Sequence, residues 1–258
     1  MDYDVIIIGA GMAGLTAGIY VSRAGKSVLI LESGVVGGQI VTALRVDNWP
    51  GSYGVSGSDL MKATSKQAVS LGVKVKYEET VKIVKDDDCF TVVTDENKYK
   101  CKAVIVASGT EPRKLSAKQA KDAGKRPISY CATCDGALYK GKPVVVVGSG
   151  NTAKHEMSYL EGICSKIYHI HHDEPIPEEA EAVFVAIGRV PSTRFLGDLV
   201  KLDNDGYVKT GEDCVTSCPG VFVAGDCRTK TMRQLVTAAS DGAIAAEAAV
   251  GYLNKKSD

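Results

Sequence analysis

The sequence predicts an α/β fold of two Rossmann-like three-layer domains, of which the second is truncated. Two glycine-rich turns, at residues 9–14 and 148–153, each follow a β-branched strand and precede a helical segment. A further buried strand near residue 221 returns the chain to the first domain. After the second turn, the connection to the next strand is too short for a complete repeat, and this shortness predicts the truncation.

The first turn lies in the complete context of a dinucleotide-binding site. Residues 5–8 are a β-branched run, typical of a strand buried on both faces of a parallel sheet. A helix at 15–23 and a strand at 26–31 ending in an acid follow the turn. Such glycines permit close approach to a pyrophosphate, and the acid can accept hydrogen bonds from a ribose. The candidate binding residues are Gly9, Gly11, Ala13, Gly14 and Glu32.

Two later strands end in small-residue turns. Residues 103–106 lead into Ala107 and Gly109, and residues 221–224 lead into Gly225 and Asp226. The glycine-rich turn between a strand and a helix is shared by flavin and nicotinamide enzymes, so these later residues decide which of the two cofactors is predicted. Asp226 is placed to reach a ribityl or pyrophosphate group, and an alanine-rich helix predicted over 237–253 can point its N-terminus at a flavin ring.

Two cysteines separated by two residues, Cys131 and Cys134, precede the second turn, and Asp135 stands beside the second cysteine. Such a pair can close an exchangeable disulfide, and a neighbouring carboxylate can move a proton. Zinc and inert structural cysteines are the alternatives. A zinc site needs a second pair of ligands, and the other close pair, Cys214 and Cys218, lacks the usual spacing. Thiol–disulfide exchange is therefore the favoured chemistry, while Asp135 can also be read as a turn or capping residue.

Composition narrows the class of protein. The 258 residues include 31 basic and 31 acidic side chains, which argues against nucleic acid or an anionic membrane as a partner. No apolar run reaches the ~18–20 residues that span a bilayer, and the N-terminus leads directly into a strand without an export signal. Eight cysteines in this length are too few for a disulfide scaffold, so we expect a reducing, cytoplasmic setting.

Further short motifs accompany the two turns and the cysteine pair. In chain order the motifs are Gly9–Gly14, Gly37–Gln39, Asp47–Gly51, Ala107–Gly109, Cys131–Asp135, Gly225-Asp226, and Arg233-Gln234 with Thr237–Ala239. In this order, and over nearly the whole length, the chain resembles the low-molecular-weight thioredoxin reductases of the flavoprotein disulfide reductase family.

The resemblance implies FAD in the first site and a homodimer. The residues that it places at the cofactor, beyond the first turn and Glu32, are Gly38, Gln39, Asn48, Ala107, Gly109, Gly225, Asp226, Arg233 and Gln234. It also implies that Cys134 is the sulfur nearest the flavin, that Cys131 attacks the partner and that Asp135 is the acid–base residue. Gln39 and Asn48 keep an alternative interpretation as turn-forming loop residues.

The second turn departs from the family where a nicotinamide would bind. A strand at 143–147 leads into the turn, a helix at 154–161 follows, and a strand ends at Ile170. NADPH-dependent members place arginines after that strand, whereas this chain has His171, His172 and Asp173. Histidine is largely neutral at pH 7 and lacks the bidentate fork that suits phosphate, and an aspartate repels phosphate. Asn151 also stands where the family usually carries an acid.

The length of the next connection is the stronger observation. Only ten residues, from Asp173 to Ala182, precede the return strand that begins at Val183, and the family places a further crossover and several strands there. We therefore predict an FAD domain formed by residues 1–112 and 190–258, and a small inserted domain at 113–189 that carries the dithiol. Residues 255–258 are predicted to be disordered.

The functional prediction is a flavin-dependent thioredoxin reductase. Electrons would pass from reduced ferredoxin through FAD and the dithiol to the disulfide of thioredoxin, because this chain resembles the compact ferredoxin-dependent branch that lacks pyridine-nucleotide motifs. An NAD(P)H-dependent thioredoxin reductase is the first alternative, a deazaflavin donor is a lesser variant, and a redox-sensing flavoprotein without turnover is the second alternative. The chain has no iron–sulfur ligand set of its own, so a cluster must arrive on the partner.

Overall fold

The computed structural model describes residues 1–171 and 173–256, and the chain divides into two units. The first unit combines Met1–Thr110 with the segment that begins at Pro191, and the second unit is Glu111–Val190. The unit that carries the first glycine-rich turn is therefore discontinuous in sequence.

Strands and helices alternate through most of the chain. The strands are β1 Tyr3–Ile8, β2 Val28–Glu32, β3 Lys74–Tyr77, β4 Thr80–Lys85, β5 Phe90–Thr94, β6 Lys98–Val106, β7 Thr110–Pro112, β8 Ile128–Ser129, β9 Pro143–Val147, β10 Lys166–Ile170, β11 Ala182–Val185, β12 Arg189–Pro191 and β13 Val221–Val223. The α-helices are α1 Met12–Arg23, α2 Gly57–Ser70, α3 Ala117–Ala123, α4 Ala132–Asp135, α5 Asn151–Leu160 and α6 Leu235–Lys255. Short 3-10 helices span Gly38–Thr42, Gly136–Tyr139, Arg194–Leu196 and Gly225–Cys227.

The sheet of the first unit has a parallel centre. Strands β3, β2, β1, β6 and β13 lie side by side and parallel, while β5 and β4 continue the sheet as an antiparallel pair beyond the first half of β6. Alternate residues of β1 enter different cores: Val5 and Ile7 pack on one face, Ile6 and Ile8 on the other. Burial on both faces explains why the sequence of β1 is continuously apolar instead of alternating.

Helices α1 and α6 cover one face of this sheet and pack closely together. A Cβ atom at Gly242 of α6 would overlap the carbonyl oxygen of Ala13 in α1, so only glycine permits this approach. Helix α2 begins at an N-cap, Ser56, whose hydroxyl accepts a hydrogen bond from Asp59 N at 3.1 Å. The helix pair brings the start of α6 to the first glycine-rich turn.

The second unit contains a smaller parallel sheet in the order β10-β9-β11-β8. Its residues also alternate between two cores, with Val144 and Val146 facing α4 and α5. Val145 and Val147 face the opposite side, where Ala123 of α3 is buried. The fold-class prediction of an α/β protein with Rossmann-like sheets is confirmed.

Residues 171–181 connect β10 to β11, which lie on opposite sides of β9. In the described part of this connection no helix or strand forms, yet Ile176 and Ala180 are buried against the sheet. The Gln119 side chain from α3 is fully buried and donates hydrogen bonds to the carbonyls of His171 and Glu174, both at 3.1 Å. The described part of the connection thus covers the sheet without a helix or strand.

The end of helix α6 bears on the prediction for the C-terminal residues. The prediction that residues 255–258 are disordered is wrong for Lys255, which ends α6, and for Lys256, whose ammonium group lies 2.8 Å from Asp88 Oδ1. The last two residues lie outside the described chain. Within the described residues, no helix is long and apolar enough to cross a membrane.

Candidate active site

The backbone of the first turn is fixed by its packing against the end of β6. Gly9 has φ +103°, and a Cβ atom there would overlap the carbonyl oxygen of Ala107. A Cβ atom at Gly14 would in turn overlap the carbonyl oxygen of Gly9. Glycine is therefore required at both positions by the fold, before any ligand is considered.

The predicted cofactor residues that are distant in sequence meet around this turn. A Cβ atom at Gly38 would lie 3.6 Å from the Cα of Gly11, and one at Gly225 would lie 3.0 Å from the Cβ of Ala13. The 3-10 helix that begins at Gly38 and the one that begins at Gly225 therefore both flank the start of α1. The structure brings the fingerprint and the two later small-residue turns into one cluster.

Glu32 at the end of β2 is tied to the turn by two backbone hydrogen bonds. Its carboxylate accepts from Ala10 N at 2.7 Å and from Gly34 N at 2.8 Å. A carboxylate has about four acceptor positions, so further acceptor capacity remains for ribose hydroxyls. Positioning the turn and binding a ribose are compatible roles for this residue.

Two amide side chains predicted at the cofactor are held by other parts of the first unit. Asn48 Nδ2 donates to Gln234 Oε1 at 3.0 Å, although the residues are 186 positions apart. Gln234 is the N-cap of α6 and forms a capping box with Thr237. Gln39 donates its amide to the carbonyl of Thr110. Both interpretations of Gln39 and Asn48 remain, because loop anchoring and cofactor contact are not exclusive.

Asp226 and Arg233 lie together after β13. The Arg233 Nε donates to the carbonyl of Asp226 at 3.3 Å, and the Arg233 guanidinium lies 4.3 Å from the centre of the Tyr207 ring. Contact with that aromatic face and with the backbone orients the arginine side chain. The structure therefore places Asp226 and Arg233 as neighbours, as the motif order suggests.

A buried ionic cluster behind Gly225 was not anticipated from the sequence. Asp241 of α6 accepts from Gly225 N at 3.0 Å and from Arg228 Nε at 2.9 Å, and Lys230 Nζ lies 2.7 Å from the same carboxylate. Burial opposes ionisation of Asp241, but the hydrogen bonds from Arg228 and Lys230 outweigh burial and lower its pKa. The cluster fixes the backbone immediately before Asp226.

The first unit offers what a dinucleotide pyrophosphate requires. Helix α1 begins at Met12 after an N-cap, Gly11, that provides no side-chain cap, and its first turn has no acidic residue, so its first amides remain available to an anion. Cβ positions at Gly11 and Gly109 would point into open space. The Ser108 hydroxyl oxygen is buried beside the Cys227 thiol. These features fit a bound dinucleotide.

Cys131 and Cys134 form a disulfide at the start of α4. Cys131 is the N-cap residue, and its sulfur accepts a hydrogen bond from Cys134 N at 3.2 Å. Cys134 is exposed and Cys131 is partly exposed. A disulfide with a solvent-accessible sulfur at a helix start has the access that thiol–disulfide exchange requires.

Asp135 lies beside the disulfide and is oriented by Ser129. The Ser129 hydroxyl donates to Asp135 Oδ2 at 2.7 Å and accepts from Cys131 N at 3.1 Å. Ser129 therefore links the carboxylate to the backbone of the first cysteine, a connection that the sequence analysis did not foresee. Asp135 is the last residue of α4 and the N-cap residue of the 3-10 helix Gly136–Tyr139, where its side chain makes no capping hydrogen bond.

A second carboxyl group reaches the same segment from α5. Glu156 accepts a hydrogen bond from Ala132 N, the amide that follows Cys131. Burial raises the pKa of Glu156, the Ala132 amide, His155 and Arg189 lower it, and Asp135 raises it, with a net increase. Glu156 is 24 positions from Ala132. Sequence spacing alone gave no signal for this contact.

The second glycine-rich turn reproduces the backbone geometry of the first. Gly148 has φ +146°, and a Cβ atom there would overlap the carbonyl oxygen of Ala186. Gly150, before α5, has open space at its Cβ position and no side-chain cap. After β10 the geometry differs: His171 N donates to Glu174 Oε2 at 2.8 Å, and Asp173 has φ +74°. The prediction for His172 lies outside the described residues, as does the side chain of Asn151.

The remaining cysteines occupy other environments. Cys101, Cys214, Cys218 and Cys227 are buried, and burial raises the pKa of Cys101 and Cys214 to about 12 and that of Cys227 to about 11. The thiols of Cys101, Cys214 and Cys227 are therefore unreactive at neutral pH. Among the residues that the structure describes, no group of three or more His, Cys, Asp or Glu side chains is arranged to hold a metal ion.

The fold and these sites define a class: a dinucleotide-fold protein with an exchangeable disulfide. The sequence profile of pyridine nucleotide-disulphide oxidoreductases matches residues 3–179 and 173–242, so the chain belongs to this family. Its similarity to thioredoxin reductases covers nearly the whole chain. The thioredoxin reductase of Listeria monocytogenes is 35% identical, with 98% of this chain and 94% of the relative covered. The family prediction is confirmed.

Solved structures give the same result. The thioredoxin reductase of Streptococcus pyogenes has a TM-score of 0.90 at 30% identity and covers 98% of both chains. A ferredoxin-flavin thioredoxin reductase of Clostridium acetobutylicum has a TM-score of 0.65 at 28% identity, and the match covers 100% of this chain and 99% of that chain. Thioredoxin reductases of this family use FAD, so the prediction of FAD as the cofactor is confirmed.

The matches also measure how much shorter this chain is. Since 98% of 258 residues is about 253, an alignment over 301 positions leaves about 48 positions of the Listeria relative without a counterpart here. The two segments of the family match overlap at residues 173–179, inside the connection between β10 and β11. The overlap indicates that the shortening falls in this connection.

Proposed function

We propose that this protein is a thioredoxin reductase that receives its electrons from reduced ferredoxin and not from a nicotinamide. The observation that carries the choice of donor is the connection 171–181 between β10 and β11, which lacks regular elements in its described part. The thioredoxin reductase activity is supported by the relatives of that name and by the Cys131–Cys134 disulfide.

The connection argues against NADPH for a physical reason. A nicotinamide dinucleotide needs a floor beyond the glycine-rich turn, a group for its adenosine ribose and, for NADPH, cations for the 2′-phosphate. After β10 this chain offers His171 and Asp173, and Glu174 is engaged with the His171 amide. The glycine-rich turn at Gly148 is present, but it is not followed by residues suited to bind the adenosine ribose or the 2′-phosphate.

In the first unit, the residues that we propose to hold FAD form the cluster around α1. The amides at the start of α1 and the open positions at Gly11 and Gly109 suit the pyrophosphate. Glu32 suits the adenosine ribose. Further candidate contacts, from the resemblance and the observed clustering, are Gly9, Ala13, Gly14, Gly38, Gln39, Asn48, Ala107, Gly225, Asp226, Arg233 and Gln234.

When bound, FAD supplies the electron pair that opens the disulfide. Two electrons and two protons convert Cys131 and Cys134 to thiols. We assign the attack on the partner to Cys131: its thiolate bonds to one partner sulfur, the partner disulfide breaks, and the other partner sulfur leaves as a thiolate. Cys134 then attacks the Cys131 sulfur, which re-forms the disulfide and releases the reduced partner.

Asp135 is the proposed acid–base residue for these steps. It is next to Cys134 in sequence and is held by the Ser129 hydroxyl, which also contacts the Cys131 amide. A carboxyl group within this hydrogen-bonded segment can take up the proton of one thiol and return it to a leaving thiolate. The proton balance of one turnover is then closed by solvent.

The proposed electron flow is favourable. Plant-type ferredoxins have potentials near −400 mV and thioredoxin near −270 mV. At about 30 mV per 1.4 kcal/mol for two electrons, the gap is roughly 6 kcal/mol downhill. Two single-electron deliveries from ferredoxin supply one disulfide reduction. No nicotinamide is needed to drive the reaction.

We also propose a homodimer that works in the cytoplasm. The resemblance suggests the dimer. The six cysteines that are free in the structure, beside a single disulfide at an exchange motif, are consistent with a reducing compartment. Size-exclusion chromatography with light scattering tests the dimer, and a monomer at micromolar concentration would contradict it.

An anaerobic reduction experiment tests the donor. The purified yellow protein is mixed in turn with NADPH, NADH and reduced ferredoxin, and loss of flavin absorbance is followed. Bleaching by ferredoxin alone, followed by the appearance of thioredoxin thiols, is the expected result. Prompt bleaching by NADPH or NADH would establish the ordinary reductase, which the surviving turn at Gly148 and Gly150 keeps as the second candidate.

A parallel sample with Cys134→Ser separates catalysis from sensing. We expect its flavin to be reduced by the same donor, while thioredoxin turnover is lost. Full turnover in this variant would remove the dithiol from the mechanism. Bleaching without multiple-turnover thioredoxin reduction in the unmodified protein would instead identify a redox-sensing flavoprotein.

A further inference from the structure

Two carboxyl groups, those of Asp135 and Glu156, accept hydrogen bonds from residues beside the disulfide, and the proposed mechanism uses only Asp135. Glu156, on α5, accepts a hydrogen bond from Ala132 N, and Ala132 is the first residue of α4. Cys131 precedes Ala132 and is the N-cap. The Glu156 carboxyl group therefore binds the backbone amide of the residue that follows Cys131. The Cys131 sulfur initiates exchange in the proposed mechanism.

We propose that Glu156 is a positioning residue of the dithiol centre, which holds the Ala132 amide and controls through its charge the ionisation of the adjacent Cys131 thiol. The inference rests on the proposed redox use of the Cys131–Cys134 pair. It goes beyond that use because it names what adjusts the reactivity of the attacking sulfur. Its test measures a thiol and does not require any electron donor.

Two physical effects give Glu156 this control. As an ionised carboxylate it is a like charge beside a thiolate, and a like charge disfavours ionisation of its neighbour. Its hydrogen bond also fixes the amide that follows Cys131, so the backbone of the segment keeps one geometry. The first effect depends on charge and the second on an acceptor atom, which means that a substitution can separate them.

Charged and titratable groups from three elements act on the pKa of this carboxyl group. His155 is its neighbour on α5, Arg189 approaches from β12, and Asp135 approaches from α4. On the side of Cys131, the Ser129 hydroxyl and Asp135 complete the polar surroundings. Asp135 and Glu156 thus contribute charges of the same sign. Arg189 and, when protonated, His155 oppose them.

The experiment measures the pH dependence of Cys131 alkylation in a Cys134→Ser background. The protein is reduced with dithiothreitol and desalted, and iodoacetamide labelling of the Cys131 peptide is followed by mass spectrometry. The same measurement is made after adding Glu156→Gln, which keeps an oxygen acceptor for the Ala132 amide and removes the charge.

We expect Glu156→Gln to lower the apparent pKa of the Cys131 thiol by about one unit. The thiolate fraction below that pKa then rises about tenfold, while intrinsic nucleophilicity falls with the pKa, so alkylation near pH 6 accelerates by about threefold. The matched control is Glu161→Gln, which removes an exposed charge just after α5 and should leave the profile unchanged.

Glu156→Ala tests the positioning part. It removes both charge and acceptor, so we expect the same shift in thiol pKa together with faster hydrogen exchange in the segment 131–136. An unchanged pH profile in Glu156→Gln, or an equal shift in Glu161→Gln, would overturn the proposal. Failure of the donor experiment with an intact thiol shift would instead count against the proposed function alone.

Discussion

The two glycine-rich turns have the same backbone geometry but different surroundings. Gly9 and Gly148 both have positive φ, and in both a Cβ atom would overlap a carbonyl oxygen at the end of the neighbouring strand, from Ala107 and Ala186 respectively. The glycine is demanded by strand, turn and neighbouring strand, whether or not a nucleotide binds. The glycine-rich turn therefore indicates the fold, and the identity of the ligand has to be inferred from other residues.

Those other residues differ sharply between the units. In the first unit, Glu32 connects the end of β2 to the turn through Ala10 N. In the second, His169 Nε2 lies 2.6 Å from the carbonyl oxygen of Gly148, and the backbone N–H of His171, just after β10, donates to Glu174 Oε2. Strand β2 of the first unit ends in Glu32, whereas β10 of the second unit ends at Ile170, which lies between His169 and His171. We attribute the proposed difference in ligand to this position and to the short connection beyond it.

The largest effect is expected from placing a methyl group at either first glycine. Gly9→Ala and Gly148→Ala each force a left-handed residue and a clash with a carbonyl oxygen, which we expect to cost about 4 kcal/mol locally. Gly9→Ala should purify without flavin, whereas Gly148→Ala should retain flavin and show faster hydrogen exchange in β9 and α5. Loss of flavin in Gly148→Ala would contradict the separation of roles between the units.

The next effect concerns the ionic cluster that supports the first unit alone. Asp241→Asn leaves the guanidinium of Arg228 and the ammonium of Lys230 buried without this carboxylate, and because Glu212 still lies 3.7 Å from Arg228, we expect a cost of about 3 kcal/mol. Urea unfolding followed by the fluorescence of Trp49, the single tryptophan, measures the loss. Glu247→Gln, an exposed change on the same helix, should shift the midpoint very little.

The same variant has a defined pH dependence. Because the pKa of Asp241 is lowered on folding, its contribution is fully present above the pKa of the unfolded carboxyl and is lost as pH falls through the folded pKa. The stability difference between the native protein and Asp241→Asn should hence be constant near neutrality and shrink below about pH 4. A difference that grows on acidification would show that the carboxyl is protonated in the folded protein.

The sequence predicted what repeats along the chain and missed what depends on distant contacts. Strands β1 and β9 were predictable because burial on both faces leaves a continuous apolar run. The Cys131–Cys134 disulfide was predictable from the two-residue spacing of the cysteines. The packing role of the connection 171–181 was not, because it depends on Gln119, which is 52 positions away from His171.

The missed site residues have a common cause. Glu156 reads as an ordinary helical glutamate, and Asp241 as a polar residue in an alanine-rich helix. Glu156 acquires its role from a hydrogen bond with Ala132 N, and Asp241 from hydrogen bonds with Gly225, Arg228 and Lys230, all of which lie outside its own helix. Periodicity describes which face of an element is buried, but it does not reveal which buried polar groups pair. Tertiary structure is needed for that step.

A smaller effect sharpens the comparison at the second glycine of each turn. Gly11 and Gly150 have φ −72° and −88° with open space at Cβ, so alanine fits both folds without strain. Gly11→Ala should lower FAD affinity at least about tenfold, since the methyl group occupies the path of the pyrophosphate to the backbone. Gly150→Ala should leave flavin content and ferredoxin-driven turnover unchanged.

FAD affinity is measured by equilibrium binding to the apoprotein, and turnover by steady-state thioredoxin reduction. The melting temperature is the control for folding. A tenfold fall in turnover for Gly150→Ala at unchanged melting temperature would mean that a nucleotide uses the second turn. The NAD(P)H-dependent alternative would then replace the ferredoxin proposal.

The smallest effect tests the connection that distinguishes this chain from its longer relatives. Gln119→Leu removes the amide that bonds to the carbonyls of His171 and Glu174; the His171 carbonyl keeps the Glu174 N–H as a donor at 3.3 Å, and losing the side-chain donor to the Glu174 carbonyl costs about 1–3 kcal/mol. Gln119 Oε1 is itself buried without a partner among the described residues, so its removal offsets part of this loss. We expect a net destabilisation of about 1 kcal/mol, with hydrogen exchange accelerated in residues 171–181. Gln67→Leu on the exposed surface of α2 is the matched control, and equal exchange in both variants would mean that the connection is held by the burial of Ile176 and Ala180 instead.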